Sequence, residues 1–312
     1  MHITELLAIL RSKGEVVFKG DENTSIESVV RLADLNAADA ISWCNSKNLE
    51  KLPGIGAGTI IAPIEATNFP FQTGVNYILT PDPRGAFREV LLYFSKKKSQ
   101  PDGIAGTAQI HPSAKIGKGV YIGHHVVIAA NCVIGDMVRI GSNTVILEDC
   151  VIGNRVVIGA NNTIGGVGFG YEQNEADGGS YELMPHLGNV VLEDDVEIGN
   201  NTCIDRAVIG STILRRNVKV DNLVHIAHGV EIGANSLIIA NSMIAGSTVI
   251  GENCWIAPSV SIKNGMVIGH HVSSGIGSVI VSNIESNKSV VGVPAVEMAE
   301  FLAQRKFLKE RK

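Results

Sequence analysis

The chain has 312 residues and a formal net charge of −5, with 45% hydrophobic and 18% charged residues. This length is sufficient for about two domains with substantial cores. The acidic balance does not favour a nucleic-acid partner. No stretch reaches the roughly 20 apolar residues that cross a bilayer, and the N-terminus lacks the charged lead and apolar run of a signal peptide. We therefore expect a cytoplasmic protein without a membrane-spanning segment.

Residues 1–100 lack any repeat and are predicted to form a small α/β domain, because short aliphatic runs alternate with helix and turn signals. The predicted elements, in chain order, are a helix capped by Thr4 and running to Leu10, strands over Ala40–Cys44, Thr59–Ala62 and Asn76–Thr80, a helix from Pro83 to about Phe94, and a linker over Lys96–Pro101.

A six-residue repeat begins at Ile104 and extends over residues 101–290. An aliphatic residue recurs at every sixth position in two registers, Ile104–Ile164 and Val208–Ile268, and a small residue usually follows it. This period fits neither an amphipathic helix, near 3.6 residues, nor a two-sided strand, near 2. Three hexads of one short strand and one corner each make a coil of about 18 residues. The repeat therefore predicts a triangular parallel β-helix with the recurring aliphatic side chains inside.

The cysteines are placed by the same repeat. None of the five forms a CxxC pair, so neither a zinc ribbon nor a redox motif is predicted. Cys132 and Cys150 occupy the same hexad position on consecutive coils and are expected to stack. They are interpreted as small inward-facing residues in the reduced state, with a disulfide as the alternative.

Two interruptions break the register, and a helix is predicted after it. Residues 167–189, rich in Gly and polar residues, are predicted to form a loop that projects from the solenoid, and such loops often carry function. A second slip occurs near Arg206. Residues 291–312 are predicted to form a C-terminal helix with a basic end. That end could dock an acidic carrier protein, or it could be a solvated terminus favoured by the helix dipole.

Three stretches carry a resemblance to a known family. They are Gly168-Phe169-Gly170-Tyr171 with the later Pro185-His186-Leu187-Gly188, then Glu197 through Arg206 (EIGNNTCIDR), then Val220 through His228 (VDNLVHIAH). The hexads resemble those of the hexapeptide-repeat acyltransferases. The three stretches more specifically resemble the LpxD-type UDP-3-O-acylglucosamine N-acyltransferases of lipid A synthesis.

The resemblance implies a left-handed β-helix that transfers an acyl group to the amino group of a nucleotide-linked sugar. It implies no cofactor, since the acyl group arrives as a thioester on the phosphopantetheine of an acyl carrier protein or on CoA. We also expect a homotrimer, since the flat faces of the solenoid need covering and cyclic trimers that pack them together would be closed and symmetric.

The resemblance also assigns residues to substrate binding. Trp43 is expected to stack on the nucleotide base in a uridine-binding-like domain formed by residues 1–100. Phe169, Tyr171 and His186 match the family loop. The sequence departs from the family at several positions, since Leu49 stands near the second aromatic of the base clamp, His225 replaces a usual Gln, and Asn264 stands near a usual second His. We assign His225 and Asn264 to substrate binding.

The chemistry of amide formation points to His228. Such a reaction needs a base for the attacking nitrogen and donors for the oxyanion of the tetrahedral intermediate. Histidine is the natural base near pH 7. His228 follows Ile226-Ala227, which places it near a corner and facing outward, whereas the His124-His125 and His270-His271 pairs have the pattern of solvated corners.

Three neighbours complete the predicted catalytic group. Gly246, one coil after His228, is expected to stack beside it and to offer its backbone N–H as the oxyanion donor, unless it is an ordinary small corner residue. Asp221 lies seven residues before His228 and could orient the imidazole, with a corner hydrogen bond as the alternative. Asn222 resembles the family's active-site Asn.

Other functions remain open at this point. One is a short-chain N-acyltransferase that uses acyl-CoA on a UDP- or dTDP-linked amino sugar for surface polysaccharide. Another is a non-catalytic solenoid that binds sugar. The solenoid also resembles that of γ-type carbonic anhydrases, but their His-x4-His pair does not occur here, so no metal site is predicted.

Overall fold

The structure, a computed structural model, describes residues 1–96, 102–175, 178–292, 304 and 306–310. The chain divides into two compact units, Met1–Gln100 and Pro101–Lys312. Most of the predicted linker lies outside the described residues. Of the predicted C-terminal helix, Gln304 and Lys306–Glu310 are helical, and most of its other residues lie outside the described part.

The first unit is built around a five-stranded sheet with strand order β1-β5-β4-β3-β2, in which only β1 runs antiparallel to its neighbour. The strands are β1 Val17–Lys19, β2 Ser28–Val29, β3 Ala40–Trp43, β4 Gly58–Pro63 and β5 Val75–Thr80. The helices are α1 Ile3–Arg11 and α2 Pro83–Lys96, with 3₁₀ segments at Leu32–Asp34, Ser46–Gly54 and Ile64–Asn68.

The central strands are buried, except for the half-buried Trp43 at the end of β3, because both faces of this sheet carry apolar packing. Alternate residues of β3, Ile41 and Ala40, enter different clusters, and so do Ile61 and Ile60 of β4. The two strands therefore read as continuous aliphatic runs. Helix α1 differs slightly from expectation, since it begins at the fully buried Ile3 and leaves Thr4 inside the first turn.

The second unit confirms the predicted left-handed parallel β-helix, with three sheets as the faces of a triangular coil. The strands of the first face are β7 Gln109–Ile110, β10 Val127–Ile128, β13 Val145–Ile146, β16 Thr163–Gly166, β21 Cys203–Asp205, β24 His225–Ile226, β27 Met243–Ile244, β30 Ser261–Ile262 and β33 Val279–Ile280. The strands of the second face are β8 Lys115–Ile116, β11 Val133–Ile134, β14 Val151–Ile152, β19 Asn189–Leu192, β22 Ser211–Leu214, β25 Glu231–Ile232, β28 Val249–Ile250 and β31 Val267–Ile268. The strands of the third face are β6 Gly103–Ile104, β9 Tyr121–Ile122, β12 Arg139–Ile140, β15 Val157–Ile158, β20 Glu197–Ile198, β23 Lys219–Val220, β26 Leu237–Ile238, β29 Trp255–Ile256, β32 Ser273–Ser274 and β34 Ser289–Val290.

The six-residue period is explained by the strand geometry. In most strands the first residue faces outward and the second inward, so that Ile140 and Ile158 stack in register inside the coil, almost fully buried. Several corner residues adopt a left-handed φ, which Asn tolerates better than most side chains, as at Asn143 and Asn161. The repeated pattern therefore alternates an aliphatic interior with turn-forming corners.

Cys132 and Cys150 stack on consecutive coils as buried free thiols, and burial raises the pKa of Cys150 to about 12.

The prediction that the second register starts at Val208 was wrong. Val208 lies half-buried in a bend, and the inward series resumes at Leu214.

The two interruptions are joined to each other. The predicted loop contains a β-hairpin made of β17 Tyr171–Asn174 and β18 Ser180–Leu183. Where it returns to the solenoid, the amides of Leu187 and Gly188 donate to the carbonyls of Val208 and Ala207 in the second insertion. The insertions therefore form one connected region beside the first and second faces.

The alternation of inward and outward residues predicts unequal effects of two adjacent substitutions. Ile198 is 3% exposed, so Ile198→Ala should lower the free energy of unfolding by about 2–5 kcal/mol through lost burial and a residual cavity. Glu197→Ala removes only an exposed ion pair with Lys219 and should cost less than about 1 kcal/mol. Chemical denaturation of both variants checks this, and equal losses would contradict the inward position of Ile198.

Candidate active site

His228 lies at the corner that follows β24, directly after the inward Ile226 and the buried Ala227. Gly246 occupies the same corner one coil later. A Cβ atom added to Gly246 would lie 2.6 Å from Nε2 of His228. Only glycine therefore leaves space for the imidazole at this corner, and the two residues are adjacent as the spacing predicts.

The backbone N–H of Gly246 is one of the corner N–H groups that carry no side-chain cap. At many corners the N–H of the equivalent residue is capped by a side chain from the next coil, as Asp136 caps Lys118 and Asn154 caps Asp136. Within the described part of the chain, the N–H of Gly246 has no hydrogen-bond partner. An uncapped N–H beside an imidazole can donate to an anionic oxygen that forms there.

The hairpin region brings His186 against His228. The two ring centroids are 5.4 Å apart and the planes are nearly perpendicular. Nδ1 of His186 is 2.7 Å from the carbonyl oxygen of Met184, which indicates that Nδ1 carries the proton and donates it. Gly168 fits closely between the imidazoles, since an added Cβ would lie 2.8 Å from Nε2 of His186 and 3.0 Å from Cβ of His228. Nε2 of His186 is buried without a partner in the described structure.

Asp205 is a part of this site to which sequence reasoning gave no role. It ends β21, one coil before Ala227, and its side chain is only 13% exposed. Oδ2 lies 3.6 Å from Nε2 of His225. Burial raises the pKa of the Asp205 carboxyl, and the nearby imidazoles of His225, His228 and His186 partly oppose that rise. Its proximity to three histidines makes it the electrostatic centre of the site.

Arg206 fixes the backbone beside Asp205. Its N–H and Nε donate to the carbonyls of Gly166 and Gly165, and its guanidinium forms an ion pair with Glu148 at 3.0 Å. The register slip at Arg206 is thus an insertion whose backbone is held in place by the hydrogen bonds and the ion pair of Arg206. The slip was the available signal for Asp205, because it marks where the chain departs from its repeat immediately after that residue.

Asp221 and Asn222 occupy a different corner from His228. Oδ1 of Asp221 accepts from the backbone and side-chain amides of Asn222, and Oδ2 lies 3.2 Å from the backbone nitrogen of Ala240. Oδ1 of Asn222 caps the N–H of Asn200. These contacts are the corner hydrogen bonds that formed the alternative interpretation of Asp221. Within one chain, Asp205 rather than Asp221 is the carboxylate beside His228.

The remaining candidates in the second unit surround the same corner. Phe169 and Tyr171 form an exposed aromatic pair in the hairpin region, with centroids 5.0 Å apart. His225 faces outward on the first face, next to Asp205. Asn264 lies exposed one coil beyond Gly246. Their assignment to substrate binding remains a prediction.

Trp43 ends β3 in the first unit and stacks on Phe87 of α2, with centroids 6.0 Å apart. It is half-buried against one apolar cluster, whereas Leu49 packs against the other cluster. Leu49 therefore does not form a clamp with Trp43. Trp43 also borders a cleft lined by residues that follow the parallel strands, including Asn45, Ser46, Pro63, Glu65, Pro81, Asp82, Pro83 and Arg84.

Neither a metal-binding cluster nor a membrane-spanning helix occurs among the described residues. No group of three or more His, Cys, Asp or Glu side chains there is arranged to hold a metal ion. No helix in that part of the chain has the length and apolar character needed to cross a bilayer.

Comparison with known proteins defines the class first. Residues 104–136 and 131–166 match the model of the bacterial transferase hexapeptide family. The fold is similar to a Francisella novicida UDP-N-acetylglucosamine acyltransferase, with TM-score 0.56 and 24% identity over 65% of this chain and 73% of that one. A UDP-N-acetylglucosamine acyltransferase from Bacteroides fragilis gives TM-score 0.54 and 26% identity over 65% of this chain and 78% of that one. The chain is a hexapeptide-repeat acyltransferase.

Curated relatives define the family within that class. The UDP-3-O-acylglucosamine N-acyltransferase of Campylobacter lari is 39% identical over 287 residues, which are 88% of this chain and 89% of the relative. The enzyme of the same name from Syntrophotalea carbinolica is 41% identical over 253 residues, 75% of this chain and 71% of the relative. The chain belongs to the UDP-3-O-acylglucosamine N-acyltransferase family and is an N-acyltransferase of the lipid A type.

The close approach of Gly246 to His228 predicts the effect of a single methyl group. Gly246→Ala places a Cβ within 2.6 Å of Nε2 and so displaces the imidazole. We expect kcat to fall by about 10²-fold, the scale of losing a positioned base or oxyanion donor, with the thermal stability close to that of the native protein. Unchanged turnover in steady-state assays would show that the imidazole of His228 does not act as a catalytic base from this position.

Proposed function

We propose that this protein transfers an acyl group from an acyl carrier protein thioester to the amino group of UDP-3-O-acylglucosamine, with His228 as the general base. The observation that carries this proposal is the pairing at one corner of an accessible imidazole with an uncapped N–H of Gly246. This pairing supplies the proton acceptor and the oxyanion donor that acyl transfer to an amine requires.

In the proposed reaction the sugar nitrogen attacks the thioester carbonyl carbon, and the carbonyl oxygen becomes an oxyanion that accepts a hydrogen bond from Gly246. The imidazole of His228 removes one proton from the attacking nitrogen. Collapse of the tetrahedral intermediate forms the amide and expels the thiolate, which takes the proton from the imidazolium. The products are the N-acylated sugar and the free thiol, so no external cofactor is consumed.

Substrate recognition is proposed to use both units of the chain. The cleft beside Trp43 follows the carboxyl ends of parallel strands, a common place for a nucleotide, and an aromatic side chain there can stack on a base. The exposed pair of Phe169 and Tyr171 offers apolar contacts near the acyl groups or the sugar. We place the reaction in the cytoplasm. A carrier protein is preferred to CoA as the donor because the chain belongs to this acyltransferase family.

We also propose that the functional assembly is a homotrimer formed through the flat faces of the solenoid. The outward residues of the second face support this, since they form an aliphatic stripe that is interrupted at Glu231 and comprises Val133, Val151, Val191, Ile213, Val249 and Val267. A closed three-fold assembly buries such a stripe on every subunit.

Sedimentation equilibrium of the full chain should give about three times the 33.1 kDa chain mass at micromolar concentration. Val249→Lys, which places a charge within the stripe, should weaken the assembly. A stable native monomer at that concentration would contradict the trimer.

Removal of the His228 imidazole tests the catalytic assignment. His228→Ala should lower kcat by about 10² or more with little change in KM, because a base acts mainly in the transition state. His125→Asn is the matched control, since His125 lies at an exposed corner with a left-handed φ that Asn adopts at other corners. The measurement is the steady-state rate of N-acylation.

Two outcomes would contradict this assignment. His228→Ala with native turnover would exclude the imidazole as the base. His225→Gln as inactive as His228→Ala would show that the base had been assigned to the wrong histidine, since the family resemblance predicts that Gln is tolerated at that position.

A further inference from the structure

The carboxylate of Asp205 lacks the partners that a buried charge ordinarily has. Its side chain is 13% exposed, and Nε2 of His225 lies 3.6 Å from Oδ2, a separation too long for a hydrogen bond. No hydrogen bond to this carboxylate occurs within the described residues. A carboxylate with this burial ordinarily accepts several hydrogen bonds, and leaving them unmade is costly.

The surroundings of Asp205 explain why the chain itself does not supply donors. On one side β16 places Gly166 in register with Asp205, and a Cβ there would lie 3.3 Å from Oδ1. The remaining neighbours that interact electrostatically with the carboxylate are the imidazoles of His225, His228 and His186. Nδ1 of His186 is already engaged with the carbonyl of Met184. The carboxylate thus has acceptor capacity that a ligand can use.

The position of Asp205 gives the corner a donor side and an acceptor side. Gly246 lies one coil beyond His228 in contact with the imidazole, and its N–H has no partner within the described residues. Asp205 lies one coil before Ala227, which precedes His228. His228 therefore lies between a hydrogen-bond donor suited to an oxyanion and an anionic acceptor suited to an amine.

We propose that Asp205 binds the amino group of the acceptor sugar and directs it at His228. This inference rests on the proposed function, because it names the group that recognises the nitrogen in that reaction. The carboxylate attracts the ammonium form and, after the ammonium releases one proton to solvent, accepts a hydrogen bond from one of the two remaining N–H groups. The second N–H points to His228, and the lone pair is left for the thioester carbon.

The atom count of the step is consistent with this arrangement. Attack uses the nitrogen lone pair and produces a positively charged nitrogen that still carries two hydrogens. His228 takes one of them. The other remains on the amide nitrogen of the product and still donates a hydrogen bond to the carboxylate of Asp205. The carboxylate is not consumed, so it is a binding group that also sets the orientation of the nucleophile.

The test compares two acceptor sugars that differ at a single position. One is UDP-3-O-acylglucosamine, which carries a 2-amino group. The other is its counterpart with a hydroxyl in place of that amino group. Binding of both is measured calorimetrically to the native protein and to Asp205→Asn. The native protein should prefer the amine by about tenfold or more, the scale of a charge-assisted hydrogen bond. Asp205→Asn should lose most of this preference while binding the hydroxyl counterpart about as well as before.

Asp149→Asn is the matched control, because it makes the same charge change at an exposed corner where the chain elsewhere places Asn with a left-handed φ. It should retain the preference for the amine. Thermal melting checks that each variant is folded. Asp205→Asn should melt no lower than the native protein, since it removes a poorly compensated buried charge.

Retention of the amine preference in Asp205→Asn would overturn the inference and leave the proposed reaction intact. Loss of the preference in His225→Gln to the same extent as in Asp205→Asn would also overturn it, since Asp205 would then act only through that imidazole. Failure of the native protein to bind either UDP sugar would refute the proposed function itself.

Discussion

The stacking of one aliphatic residue on its equivalent in the next coil determines almost everything else in this molecule. Each coil advances by one strand spacing, and the inward residues, such as Ile140 and Ile158, fix the register between neighbours. Since a slip of one residue would turn the aliphatic side chains outward, the register is strongly specified. Corner residues inherit this precision, which is how His228 and Gly246, distant in sequence, are held within contact distance.

The insertions disturb that rigid frame only locally. They return to strands that pair in register, since β19 pairs with β14 and β22 pairs with β19, and the register shifts only between Ile164 and Gly166 of β16. The first insertion adds the hairpin region that brings His186 to His228. Arg206 replaces the lost regular contacts with hydrogen bonds to Gly165 and Gly166. The site is therefore supported by the solenoid on one side and by a braced irregular segment on the other, which suits a site that must be both positioned and accessible.

The repeat made the fold and the pair His228–Gly246 predictable, because both depend only on counting in hexads and coils. The neighbour of His228 was not predictable in this way. Asp221 is about one hexad earlier, and one hexad leads to the adjacent corner of the same coil, where its carboxylate makes corner hydrogen bonds. Asp205 is 23 residues earlier because four extra residues separate Ile204 from Leu214, and those residues shift the spacing from the regular 18 to 22. Pairings across an irregular insertion follow from three-dimensional packing rather than from the period.

The local rules of the solenoid are broken together at this one place. The carboxylate of Asp205 is poorly satisfied, Nε2 of His186 has no partner in the described structure, and the N–H of Gly246 lacks the cap found at many other corners. A buried carboxylate and a buried imidazole nitrogen without hydrogen-bond partners at one corner are expected where a ligand supplies the missing partners. The glycines at 168 and 246 are part of the same arrangement, since a methyl group at either would fill the space beside the imidazole. Leaving these buried groups without partners costs stability. The buried aliphatic interior of the other coils can compensate for that cost.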